Sequence, residues 1–305
     1  MKKLVFALVI GVVVIASMVS CDRVTAPYII QTELDTTLYP GNFIDYSEPT
    51  FDQNTNTLKN VLIEDWTGHQ CTFCPAAADV AAQLETDNPG RVFVATIHAG
   101  ADNDGISAFQ ETNSSGAFTT DFTTVEGTEM AASFFSQSVG FNANPKGCIN
   151  RLDEGGLFFL NSPDWSDKVD EGMASALDVN LQAKSNYFPS TNGVYLHVET
   201  EFINELEGEY NIVVYAIENK VVDWQKVFGT GDVPDYEHHN VHIGNVFNET
   251  WGRSVGSGSI AAGTKVVTDF SYKVPDHLDN TKMHFIIYVY DKETYEVMQV
   301  IDHHF

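Results

Sequence analysis

Basic residues are scarce in this chain. Its 305 residues include 16 Lys and Arg against 42 Asp and Glu, which gives a formal net charge of −26 at pH 7. Such a surface repels polyanions, so the composition argues against nucleic acid as a partner and against a surface for anionic lipids. The solubility of an exported protein explains the acidity without any acidic-tail function.

Long apolar runs are absent after the first 20 residues. Residues 4–19 form an apolar stretch behind two lysines, and a serine and Cys21 follow it. This stretch is shorter than the roughly 20 residues that span a bilayer, which favours a secretory signal over a transmembrane anchor. The sequence around Cys21 resembles a lipoprotein processing site. We therefore predict a signal peptide over residues 1–20 and membrane attachment through lipid on Cys21.

Cysteine is also scarce, which limits the sites that it can form. If Cys21 carries lipid, the remaining thiols are Cys71, Cys74 and Cys148, and an odd number argues against a scaffold of several disulfides. A zinc site of the paired C-x-x-C type needs a second such motif, which the chain lacks. In an oxidising compartment Cys71 and Cys74 can close on each other. Cys148 is then either buried and inert or a third thiol in the chemistry.

The chain after the signal is long enough for two domains. Residues 21–57 mix Pro, Gly, Thr, Asn and Asp with isolated apolar residues, which is typical of a tether that follows the lipidated cysteine. The runs 61–66 and 91–98 have the composition of strands, and the run 76–85 between them favours a helix. These runs predict a βαβ unit with parallel strands.

This unit begins the first predicted domain, residues 58–178. The domain carries an insertion at about 101–140, which is rich in Ser, Thr, Asn and Gly and has helical pieces such as 129–137. Strands at 146–151 and 157–160 around a glycine-containing turn predict a hairpin. A serine and a proline then begin a helix that closes the domain.

In the second half of the chain, apolar and polar residues alternate along runs such as 194–199, 210–217, 265–270 and 283–290. β-branched and aromatic residues dominate these runs, and polar turns separate them. This pattern predicts an antiparallel, immunoglobulin-like β-sandwich over residues 179–305. The predicted fold class is therefore α+β, an α/β domain followed by a β-sandwich.

The C-x-x-C motif of Cys71 and Cys74 lies between the first predicted strand and the helix. A helix N-terminus offers unpaired N–H groups and a partial positive charge, which lower a thiol pKa and favour the nucleophilic thiolate. A structural disulfide is the alternative for the same pair. The placement resembles the redox site of thioredoxins, over about residues 58–178. This resemblance implies that Cys71 is the attacking sulfur and Cys74 the resolving one.

The resemblance to thioredoxins implies two further functional residues. Asp65, six residues before Cys71, matches the buried acid that accepts a proton as the resolving cysteine attacks, and burial raises the pKa of such a carboxyl group. Its neighbour Glu64 should point to the opposite face of the strand. Pro145 matches the cis-proline that lies opposite the dithiol. Gln70 replaces a tryptophan and the two residues between the cysteines are not Gly-Pro, so oxidant, reductant and isomerase all stay open.

The wider chain resembles a narrower group. The stretch 64–77 around the C-x-x-C motif, the predicted lipidation site and residues 235–241 resemble the outer-membrane lipoproteins of anaerobic Gram-negative bacteria, a family named after a twenty-eight-kilodalton founding member. The resemblance covers nearly the whole chain after the signal. It implies the cell outer membrane, facing the periplasm or the cell surface, and says less about activity.

Histidines are grouped in one part of the second half. Glu237, His238, His239 and His242 carry metal-binding groups, but the glycines and proline around them predict a loop, where sequence spacing fixes no geometry. We expect no metal site and no cofactor, and we expect the two histidines before Phe305 to be solvated.

Two functions fit these residues. The first is a lipid-tethered thiol–disulfide oxidoreductase that acts on exported proteins or with a redox partner through Cys71 and Cys74, with Asp65 as proton acceptor and Pro145 shaping the peptide groove. The second makes the first domain a scaffold and the dithiol a structural clip, while the β-sandwich binds a protein or glycan. Fold alone does not decide between them. An exposed Cys71 sulfur favours the enzyme, and its burial under the insertion favours the scaffold.

Overall fold

The computed structural model describes residues 29–31, 34–100 and 105–305. The predicted signal peptide and the lipidation site at Cys21 lie outside these residues. Within them, no helix is long and apolar enough to cross a membrane.

The α-helices of the described ranges are α1 (Cys74–Asp87), α2 (Val125–Gln137) and α3 (Trp165–Ala174). The strands are β1 (Ile29–Gln31), β2 (Val61–Thr67), β3 (Val92–His98), β4 (Lys146–Ile149), β5 (Val179–Phe188), β6 (Gly193–Phe202), β7 (Leu206–Glu218), β8 (Val221–Val227), β9 (Gly231–His238), β10 (Val241–Asn245), β11 (Arg253–Ile260), β12 (Lys265–Lys273), β13 (Met283–Asp291) and β14 (Val297–His303).

β-structure dominates the described residues, which confirms the β-rich second half. The large sheet has the strand order β14-β13-β7-β10-β3-β2-β4, with β11 also paired to β7. The small sheet has the order β1-β12-β6-β5, and β8 and β9 form a separate antiparallel hairpin. The large sheet positions the site described below.

The first strands of the large sheet follow the predicted βαβ pattern. β2 and β3 are parallel with α1 between them, and β4 is antiparallel to β2. The hairpin predicted after the insertion is wrong in its second strand. Residues 157–160 are not an extended strand in the described structure, and Leu160 forms only an isolated bridge with Gly147. The reason is that the N–H groups of Phe158 and Phe159 donate to the carbonyl of Val139 instead.

The large sheet crosses the boundary predicted near residue 178. β10 is parallel to β3, with Val241 opposite Thr96, and it is antiparallel to β7. The boundary therefore does not separate two sheets. The sequence could not predict this pairing, because the periodicity of a strand shows which side is buried but not which strand lies beside it.

A hydrophobic core covers each face of the large sheet. On one face, side chains of β2, β3, β7 and β13 pack with α2. On the other face, the small sheet packs against β7, β11 and β13, and α1 and α3 pack against β2 and β3. Along β2, Leu62 and Trp66 belong to the first core and Val61 and Ile63 to the second. Because side chains alternate, Asp65 faces α1.

Candidate functional site

The predicted dithiol is a disulfide at the beginning of α1. The sulfurs of Cys71 and Cys74 are bonded, and the two Cα atoms are 5.4 Å apart. Pro75 occupies the first turn, where its missing N–H group costs no helical hydrogen bond. The positive end of the helix therefore lies at the disulfide and stabilises a thiolate when the bond opens.

Asp65 lies on β2 beneath the start of α1. Its side chain is fully buried, and neither carboxylate oxygen has a hydrogen-bond partner among the described residues. Burial raises the pKa of Asp65 from 3.8 to about 7. Asp65 and Cys74 line the same cavity of about 550 Å³ between α1 and the segment 219–240. An unpaired carboxyl group in contact with such a cavity has the pKa of a general acid–base group near neutral pH.

Glu64, the neighbour of Asp65, lies on the other face of the sheet as predicted. It forms a buried ion pair with Arg151, with Nε to Oε2 at 2.8 Å and Nη2 to Oε1 at 2.7 Å. The hydroxyl group of Tyr215 also donates to Glu64. Glu64 is thus fully engaged, whereas Asp65 is the carboxylate of these two neighbours that has no hydrogen-bond partner in the described residues.

The peptide bond between Asn144 and Pro145 is cis. Asn144 Nδ2 donates to the carbonyl of Thr67 at 2.6 Å, which ties the loop before β4 to the end of β2. Cys148 lies opposite Glu64 in the β2–β4 pairing and belongs to the core on that face. Burial raises the pKa of the Cys148 thiol well above its usual value. The structure therefore places Cys148 away from the disulfide, on the opposite face of the sheet.

A hairpin from the second half covers the disulfide. This covering hairpin consists of β8, β9 and the turn between them. Its backbone N–H groups at Lys226 and Phe228 donate to the carbonyls of His69 and Thr72, both at 2.9 Å. Gln225 Nε2 donates to the carbonyl of Cys71 at 3.0 Å. These bonds extend along the C-x-x-C loop and hold the hairpin on it.

At the tip of the covering hairpin, two aromatic rings stack at the surface. The ring centroids of Phe73, between the cysteines, and Phe228, in the turn, are 4.8 Å apart, and both side chains are exposed. Gln225 and Phe228 were not predicted from the sequence. The valines at the ends of the run 221–227 and the glycines that follow it are signals for a hairpin, but nothing local shows where that hairpin packs.

The insertion covers the same loop from another side. The N–H of Gln70 donates to the carbonyl of Phe109 at 3.1 Å, and Gln110 Nε2 donates to the carbonyl of Thr67 at 2.7 Å. His69 Nε2 donates to the carbonyl of Glu111 at 3.0 Å. Under both covers, Cys71 is only 2% exposed.

The histidines at 238, 239 and 242 were predicted to lie in a loop, but they lie at the end of β9, directly after it and on β10, in three different environments. His238 is buried against Phe122, with ring centroids 4.9 Å apart, and burial lowers its pKa to about 4. His242 is buried and bonds Asn245 at 2.9 Å. His239 is partly exposed and pairs with Glu237 at 3.0 Å. His238 Nε2 has no hydrogen-bond partner in the described structure, and the three histidines do not form a shared ligand set within the described residues.

Three solved structures match the chain, and the first of them shows a similar fold. HBP35 of Porphyromonas gingivalis has 16% sequence identity and a TM-score of 0.59, with 82% of this chain and 76% of that chain covered. A protein of Agrobacterium tumefaciens has 14% identity and a TM-score of 0.49, with 80% and 93% covered. A domain of the outer membrane lipoprotein Omp28 from P. gingivalis has 17% identity and a TM-score of 0.29, with 41% and 86% covered. No curated protein matches the chain.

The family model for outer membrane protein Omp28 matches residues 132–304. This range is more than half of the chain and includes the covering hairpin, while the two cysteines of the disulfide precede it. The family confirms the prediction of an outer-membrane location and of membrane association. The chain belongs to the Omp28 family of outer membrane proteins.

Proposed function

We propose that this protein is a lipid-anchored thiol–disulfide exchange protein whose Cys71–Cys74 disulfide reacts when the covering hairpin moves aside. The observation that carries the proposal is Asp65. A fully buried carboxyl group with no partner in the described residues costs stability, and a disulfide that only clips a loop does not need one. Beside a disulfide that must release and take up protons, the same group has a use.

The arrangement around the disulfide supports a thioredoxin-like site over residues 58–178. A strand leads into the disulfide, a helix follows it, and the next strand is parallel to the first. The cis-Pro145 stands directly before β4, which is antiparallel to β2. β10 adds a further parallel strand beside β3, so the second half contributes to the same sheet.

The chemistry is an exchange with a protein dithiol. A substrate thiolate attacks the sulfur of Cys71, the Cys71–Cys74 bond breaks, and Cys74 leaves as a thiolate that takes a proton from Asp65. The second substrate thiolate then attacks the mixed disulfide at the substrate sulfur, and Cys71 leaves as a thiolate. The substrate is oxidised to a disulfide and the protein is reduced to a dithiol. The reverse sequence returns two electrons to a disulfide partner, with Asp65 as the base that deprotonates Cys74.

The second candidate function is a surface scaffold in which the disulfide is a structural clip. The burial of Cys71 favours it, because an incoming thiolate cannot reach a sulfur that is 2% exposed. In this case the β-sandwich binds a protein or glycan and the disulfide stays closed.

A redox titration of the full-length protein in detergent separates the two functions. Thiols are trapped by alkylation at each potential, and Cys71, Cys74 and Cys148 are identified by mass. We expect a reversible Cys71–Cys74 couple between roughly −270 and −120 mV, the range of related exchange proteins. A pair that stays oxidised below about −300 mV supports the structural clip. Cys148→Ala is the matched control and should leave the couple unchanged.

A further inference from the structure

A second group of functional side chains lies where β13 begins and β14 ends. Phe285 is opposite His303 and Ile286 is opposite Asp302 in this antiparallel pair. By the same register His284 is opposite His304. Because residues two apart on an extended chain share a face, Asp302 on β14 and His304, directly after the end of β14, lie on one face together with His284.

The three side chains are in direct contact. His284 Nδ1 lies 2.5 Å from Asp302 Oδ1, and His304 Nε2 lies 3.0 Å from Asp302 Oδ2. The two imidazole rings are parallel, with centroids 5.0 Å apart. One ligand atom from each residue lies within 4.8 Å of the others, so a single ion can reach all three.

The surroundings of this group favour a cation. Asp302 forms ion pairs with His284 and His304 and, within the described residues, with no lysine or arginine. The carboxylate of Glu85 on α1 interacts electrostatically with both Asp302 and His284. The other ring nitrogen of His284, Nε2, is buried and has no partner in the described structure, so Asp302 is the hydrogen-bond partner that orients this ring. One carboxylate and two imidazoles thus contact each other, and the carboxylate of Glu85 adds negative charge to their surroundings.

We infer that His284, Asp302 and His304 form a binding site for a divalent transition-metal ion of the zinc type. Two imidazoles and one carboxylate are the ligand set that Zn²⁺ accepts with an open position for water, whereas Mg²⁺ and Ca²⁺ prefer oxygen ligands. Binding replaces the imidazole protons that now bridge to Asp302. The site is independent of the disulfide and of the function proposed for it.

Calorimetric titration of the full-length protein with ZnCl₂ tests the site. The protein carries no polyhistidine tag and is kept in detergent at pH 7.5. We expect one equivalent of Zn²⁺ to bind, and His304→Ala and Asp302→Asn each to weaken binding by about tenfold or more. MgCl₂ in excess should not compete. His304 suits this test because its side chain is 72% exposed, so its removal leaves the core intact.

His239→Ala is the matched control. His239 is also exposed, at 51%, and pairs with a glutamate, but among the described residues it belongs to no group of three side chains whose ligand atoms could share one ion. It should bind Zn²⁺ as tightly as the unchanged protein. The inference is overturned if the unchanged protein binds no stoichiometric Zn²⁺, or if His304→Ala and His239→Ala bind it equally well. Either result leaves the three residues as a hydrogen-bonded group between strands.

Discussion

At the scale of single residues, two adjacent acids on β2 have opposite environments. Glu64 is neutralised by a bidentate Arg151, whereas Asp65 is buried without a partner in the described residues. The difference follows from the alternation of the strand, which turns one side chain to each face of the sheet. Only Asp65 faces the helix that begins at the disulfide.

Asp65→Asn should change how stability depends on pH. Burial raises the pKa of Asp65 to about 7, so between about pH 4 and pH 7 the folded protein holds a proton that the unfolded chain has lost. Stability therefore falls as the pH rises through this window and is constant with respect to this group above it. Over this pH window the free energy of unfolding falls by about 4 kcal/mol, at about 1.4 kcal/mol for each pH unit. Asn does not titrate, so the variant should gain stability over the unchanged protein as the pH rises from 4 to 7.

Urea unfolding of both proteins at several pH values from 4.5 to 8 measures this difference. The comparison has to be between the two proteins, because burial lowers the pKa of His238 and His242 and these groups destabilise the fold as the pH falls. Asp79→Asn, which removes an exposed carboxylate from α1 at the same cavity, is the control for the loss of one negative charge there. Parallel stability curves for Asp65→Asn and the unchanged protein would contradict the prediction.

The residue scale is also where the sequence was most informative. The spacing of Asp65 from Cys71 and the alternation of β2 are local properties, and both can be inferred from the chain alone. The role of Arg151 could not be, because 87 positions separate it from Glu64. The core position of Cys148 also depends on which strand β4 pairs with.

At the scale of elements, the covering hairpin lies over the disulfide. It contacts the C-x-x-C loop through hydrogen bonds to four carbonyls and to the side-chain oxygen of Gln70, and through one exposed ring stack. These contacts are few compared with a packed core, so we expect the hairpin to open without unfolding the large sheet.

Gln225→Ala should speed reduction of the disulfide in the folded protein. The buried amide of Gln225 donates to the carbonyls of Cys71, Gly68 and its own neighbour Lys226, and its removal weakens the closed state of the hairpin. A loss of about 1–2 kcal/mol raises the population of the open state, and with it the reduction rate, by about five- to thirtyfold. The rate is measured with dithiothreitol by alkylation of Cys71.

Gln182→Ala is the control for this experiment. Gln182 also donates from its amide to a backbone carbonyl, that of Asp52, but it lies on β5 in the small sheet. Its removal should leave the rate unchanged. Equal rates for the two variants would show that the hairpin does not control access to the disulfide.

At the scale of the whole molecule, one sheet joins the two halves of the chain. β2, β3 and β4 have β10, β7 and β13 as their continuation, so the edge of β3 pairs with a strand from the second half, and the core on the α2 face contains side chains of both halves. The individual strands could be predicted from composition and alternation. Their order could not, because β3 and β10 are neighbours across a long stretch of chain and local sequence carries no record of that pairing.

A fragment of residues 58–178 should therefore not fold by itself. Without β10, the backbone edge of β3 is unpaired. Without β7 and β13, the apolar side chains of β2 and β3 in the core that they share are exposed to water. We expect the circular dichroism of an unfolded chain for this fragment. Residues 34–305 should instead unfold in one transition, with the same urea midpoint by circular dichroism and by tryptophan fluorescence. A cooperative transition in the short fragment would show that the first half is an independent domain.

The distance in sequence between the disulfide and its cover has a consequence for biogenesis. A chain that is synthesised and exported from its amino end presents Cys71 and Cys74 well before residues 221–238 arrive. During that interval the two thiols are open to any oxidant in the envelope, and once the hairpin docks they are shielded. The time available to the oxidising machinery is thus set by how fast the chain up to this hairpin is delivered, and the bond is then covered by a later part of its own polypeptide.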